Sequence, residues 1–71
     1  MEITGAYEEF LTELFGRVPE DVSKEQVTRS RYTEVMKQVQ EKHGLKQGHP
    51  LYMTWIFTLV GNSPIIVDDN D

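Results

Sequence analysis

Between Pro50 and Gly61 the chain runs Leu-Tyr-Met-Thr-Trp-Ile-Phe-Thr-Leu-Val without a charge, and any fold it adopts must find cover for these ten residues. The run is half as long as the ~20 residues a membrane-spanning helix needs, so it is expected in the core of a soluble domain. Its period is ambiguous. Read as a strand, Leu51, Met53, Trp55, Phe57 and Leu59 make one wholly apolar face, and Tyr52, Thr54, Ile56, Thr58 and Val60 a milder one. Seven of the ten are β-branched or aromatic, which favours the strand. Read as a helix, His49-Pro50 would open it and Gly61 close it, with only Thr54 and Thr58 on a polar stripe. The strand is the favoured reading and the helix its alternative. Gly61-Asn-Ser-Pro64 then reads as a turn, and Ile65–Val67 as a short second strand completing a β-hairpin. Residues 68–71 form an acidic tail expected to fray.

Two amphipathic helices precede the hairpin. In residues 4–15, Tyr7, Phe10, Leu11, Leu14 and Phe15 recur at helical spacing, with Thr4 as N-cap and Gly16 as a left-handed stop. Residues 17–22 form a connector in which Pro19 can open a short turn. Residues 24–43 begin at Ser23-Lys-Glu-Gln26, which has the form of a capping box. Tyr32, Val35, Met36 and Val39 supply the apolar face, extended by Thr28 and His43. Gly44 stops this helix and Leu45 folds back toward Val39. The expected fold is α+β: two antiparallel amphipathic helices packed on a C-terminal β-hairpin. Its expected core is Phe10, Leu14, Phe15, Val35, Met36, Val39, Trp55 and Phe57. The alternative is an all-α three-helix bundle with residues 51–60 as the buried third helix.

Seventy-one residues make one domain. A domain of that size buries only ~60% of its unfolded surface. With no cysteine, neither a disulfide nor a cysteine-based zinc site can reinforce it, which leaves self-association or a partner. The N-terminus is acidic and has neither the basic region nor the apolar core of a signal peptide, so a cytoplasmic location is expected.

The net charge of −5 is unevenly distributed: −5 over residues 1–21, +3 over 22–50 and −3 over 51–71. An acidic chain lacks the basic face that direct nucleic-acid binding needs, and Glu34 and Glu41 interrupt the cations of the second helix, Lys24, Arg29, Arg31, Lys37 and Lys42. Glu8, Glu9, Glu13, Glu20 and Asp21 form a carboxylate cluster suited to a partner with a basic surface.

Chemistry has little to start from. A metal site could be drawn from His43 and His49 with Asp68 or Asp69, but the spacing is not that of a ligand set, and helix termination and loop exposure explain the histidines more simply. Ser23 and Ser63 read as a cap and a turn residue rather than nucleophiles. The five glycines are scattered, so no phosphate loop exists. No catalytic residue, cofactor or metal is therefore expected. The reading that follows is a non-catalytic protein-interaction module. It would self-associate as a homodimer through Tyr52, Ile56, Val60, Ile65 and Ile66, which the hairpin leaves partly uncovered, and offer its acidic face to a basic partner. Two rivals are an acidic inhibitor that occupies another protein's nucleic-acid site, as phage-type regulators do, and a structural assembly subunit that docks through its hairpin.

Overall fold

Helix α1 spans Ile3–Phe15 and exists because its apolar residues share one stripe: Ala6, Phe10 and Leu11 are buried, and Tyr7, Leu14 and Phe15 pack around them. A computed structural model describes residues 3–69. Thr4, expected as the N-cap, lies inside the helix, which already includes Ile3. The C-terminal stop falls where expected. Gly16 turns left-handed at φ 76°, and its N–H donates to the Thr12 carbonyl at 2.8 Å.

The next segment departs from expectation. Ser23 does not cap a long helix. It sits in a 3-10 turn, Val22–Lys24, where Asp21 accepts from the Ser23 amide at 3.1 Å and from its hydroxyl at 2.6 Å. Gln26–Thr28 is instead a short strand, β1, in which Val27 is buried between two exposed neighbours. Burying a β-branched side chain in a strand outweighs a cap that would have left Val27 on a helix surface. Helix α2 therefore starts five residues later than expected and spans Arg29–His43. Its N-cap is Thr28, whose Oγ1 accepts from the Arg31 amide at 3.3 Å. Its end is as expected: Gly44 is left-handed at φ 66°, the Leu45 N–H reaches the Gln40 carbonyl at 2.8 Å, and Leu45 is fully buried beside Val39.

Residues 51–60 are not a strand. Helix α3 spans Tyr52–Gly61 and buries Trp55 and Leu59, one turn apart, against α1 and α2. A helix satisfies its own backbone groups, whereas a ten-residue strand would need a ladder partner of similar length, and Ile65–Val67 offers three residues. The β-branched and aromatic composition reflects how these side chains pack in context and does not bind the backbone to a strand.

Residues 51–67 accordingly form no hairpin. The second strand, β2 (Ile65–Val67), pairs with β1 in parallel, with Gln26 opposite Ile65, Val27 opposite Ile66 and Thr28 opposite Val67. The crossover between them consists of α2 and α3. Among the described residues the fold is mixed α+β, with three helices and a two-stranded parallel sheet, so the bundle alternative anticipates the third helix but not the sheet. Phe10 marks the centre of the core, meeting Tyr32 edge-on at 5.5 Å and Trp55 at 5.6 Å. Of the expected core, Phe10, Val35, Val39 and Trp55 are buried, and Leu14, Phe15 and Met36 lie at its margin. Phe57 faces outward, because a helix turns it away from Trp55. Ala6, Leu11, Leu45 and Leu59 are buried with them.

Candidate interaction surfaces

The charge that is segregated along the sequence is brought together in space. Glu9 lies on the side of α1 that faces the end of α2: its Oε1 accepts from Lys42 Nζ at 2.7 Å and its Oε2 lies 3.0 Å from His43 Nε2. The hydrogen bond from Lys42, and after it that from His43, holds the Glu9 carboxyl below its ordinary range, while Glu9 raises Lys42. Arg31 donates to the backbone carbonyl of Glu13 at 2.8 Å. Asp21 is engaged by Ser23, whose hydroxyl lowers its pKa. At the other end of the chain, Asp68 accepts from Arg29 Nε at 3.0 Å and Asp69 from the Ser30 amide at 3.3 Å, at the N-terminus of α2. Of the five acids singled out in the sequence, Glu9 and Asp21 are thus committed to partners within the chain. Glu8 and Glu20 are exposed, and Glu13 lines a shallow hollow beside Glu9 and Lys42.

The histidines and tail acids do not converge. His43 meets Glu9, His49 Nδ1 accepts from the Leu51 amide at 3.0 Å, and the tail acids bind the start of α2. Among the described residues no group of three or more His, Asp or Glu is disposed to hold a metal. None of their helices is long and apolar enough to cross a membrane.

The surface that stands out is the outer side of α3. Met53, Phe57 and Val60 are 56%, 67% and 73% exposed, and their spacing of four and then three residues sets them in one line along the helix. This line runs opposite the side that buries Trp55 and Leu59. Beside it lies a groove of ≈ 210 Å³ between α2 and α3, walled by Tyr32, Met36, Ile56, Leu59, Val60 and Ser63. Single exposed apolar residues are ordinary, but an aligned set beside an apolar groove makes this side of α3 the candidate interaction surface. Of the residues expected to mediate self-association, Ile56 and Val60 come together at this groove and Tyr52 is half-buried on the same helix. Ile65 and Ile66 lie apart from them in β2, Ile65 exposed and Ile66 half-buried. Met53 and Phe57 are absent from that set because the strand reading places them on the inward face, and Tyr32 and Met36 because they are assigned to the apolar face of the second helix. Helical spacing of 53, 57 and 60 is the signal that would have found Met53 and Phe57.

Comparison of the chain with known protein families, with curated proteins and with solved structures found no match.

Proposed function

We propose that the chain is a non-catalytic protein-interaction module, cytoplasmic in setting, that docks through the outer face of α3. The observation that carries this reading is the exposed line Met53, Phe57 and Val60 on a helix whose other side is fully used by the core. The assembly-subunit reading becomes a version of the same proposal, with α3 as the docking element in place of a hairpin. The acidic-face reading, including the decoy inhibitor of a nucleic-acid site, draws less support. Glu9 and Asp21 already have partners within the chain, and Lys42 stands against the cluster.

Affinity capture from an extract of the source organism, with a differently tagged second copy of the chain added, separates the two surfaces. Three baits are compared: the wild type, Phe57→Asp, and the double reversal Glu8→Lys with Glu13→Lys. Docking through α3 requires the first and third to retain the same protein, with little loss as salt rises, and Phe57→Asp to release it. Retention by Phe57→Asp with loss from the charge-reversed bait would transfer the function to the acidic face.

A further inference from the structure

We propose that the occupant of the α3 face is a second copy of this chain, packed about a two-fold axis so that Phe57 of each copy lies over Val60 of the other and against the groove beside it. This rests on the reading of α3 as the docking surface and names its partner.

Shape is the first support. A two-fold contact uses one patch twice, so the patch must carry both a projection and the hollow that receives it. Phe57 projects at 67% exposure, and Val60, three residues on and adjacent on the helix surface, forms one wall of the ≈ 210 Å³ groove. Tyr32 and Met36 supply the opposite wall from α2. Knob and hole therefore lie side by side on the same surface.

Charge is the second. Two copies at −5 repel one another, and a contact that trapped an unpaired carboxylate would add a desolvation cost. Residues 51–67 carry no Asp, Glu, Lys or Arg, so α3 and the turn after it meet a copy of themselves with no charge to bury. A basic partner would gain nothing from α3 itself, since residues 51–67 carry no carboxylate.

Area is the third. A standard interface removes ~800 Å² from each partner, about a sixth of this chain's 4836 Å². Helix α3 is roughly 15 Å long. A contact confined to one helix face and the groove beside it is small by that measure, and small contacts are weak and transient, so the dimer is expected to be reversible, with Kd sought at about 1–100 µM. Three of the five large hydrophobic residues that the described surface exposes, Met53, Phe57 and Val60, are covered by this contact, in a 71-residue domain that has no disulfide to strengthen it.

Sedimentation equilibrium on the full chain from ~1 to ~500 µM brackets that affinity and tests it. The expected result is a monomer–dimer equilibrium for the wild type, nearly unchanged between low and high salt. Phe57→Asp should be monomeric throughout with an unaltered far-ultraviolet circular dichroism spectrum, and Glu8→Lys should dimerise as the wild type does. Because the chain has no cysteine, a spin label on Thr54→Cys reports position without interference. In a mixture with isotope-labelled wild type it should broaden the resonances of Met53, Phe57 and Val60 and spare those of Glu8. A chain that stays monomeric to ~500 µM overturns the second copy as occupant, whereas docking through α3 fails only if capture is indifferent to Phe57. A dimer that survives Phe57→Asp, or broadening centred away from α3, equally overturns the two-fold contact.

Discussion

Trp55 and Phe57 are two residues apart, and the fold uses them in opposite ways. The Trp55 ring is fully buried, and its Nε1–H donates to Gln40 Oε1 at 2.9 Å, so its apolar body and its one polar atom are both satisfied. Trp55→Ala is expected to cost ~3–5 kcal/mol, enough to unfold so small a domain. Gln40→Ala should cost ~1–3 kcal/mol, because it strands the indole N–H without a partner. Phe57→Ala should shift stability by no more than ~0.5 kcal/mol. Urea titrations followed by the fluorescence of Trp55, the only tryptophan, measure all but the first, and circular dichroism measures that one. A Phe57→Ala penalty approaching that of Trp55→Ala would mean that α3 is rotated from the orientation described. The strand reading assigned these two residues to one inward face, and nothing local to them contradicted it. Period alone does not separate helix from strand in a run this short and apolar.

At the scale of elements, what was legible depended on how local the determinants are. The end of α2 could be read because Gly44 and Leu45 act within one turn of the helix they close. The core stripe of α1 could be read because it repeats over three turns. The strand β1 could not, because its pairing partner lies 39 residues away in the register Gln26 to Ile65, and a three-residue strand has no period of its own. Ser23 and Gln26 carried the sign of a capping box in a place where Val27 is better buried. The cap that forms is the Thr28 hydroxyl on the Arg31 amide, which gives a clean contrast. Thr28→Ala is expected to lower stability by about 1 kcal/mol, and Ser23→Ala, which touches only an exposed 3-10 turn, by less than half of that. Thermal melts of the two variants under identical conditions decide it. A larger loss from Ser23 than from Thr28 would restore the helix start to residue 24.

At the scale of the whole molecule, two kinds of structure are joined with unequal strength. Among the described residues the main core of eight comes from the three helices and the residue that closes α2, and Val27, the one buried residue of the sheet, lies outside it. The sheet has two strands of three residues, parallel, with Ile65 exposed and Asp68 and Asp69 bonding to the start of α2 at the surface. Two-stranded units of this size have little stability of their own, and local opening begins where buried apolar contact is least. The sheet should therefore open before the helices do. Native-state hydrogen exchange reads this directly. The Trp55 amide, bonded to the Leu51 carbonyl at 2.9 Å over a fully buried side chain, is expected to exchange only through global unfolding, so its exchange free energy should equal that from urea titration. The Ile65 amide is bonded to the Glu25 carbonyl at 2.8 Å, a comparable distance, but should exchange through a smaller opening with a weaker dependence on denaturant. Equal hydrogen-bond lengths with unequal protection would place the difference in the packing around the two bonds. If the two amides converge on one exchange free energy, the sheet and the helices form a single cooperative unit, and the crossover through α2 and α3 binds the strands as firmly as the core binds the helices.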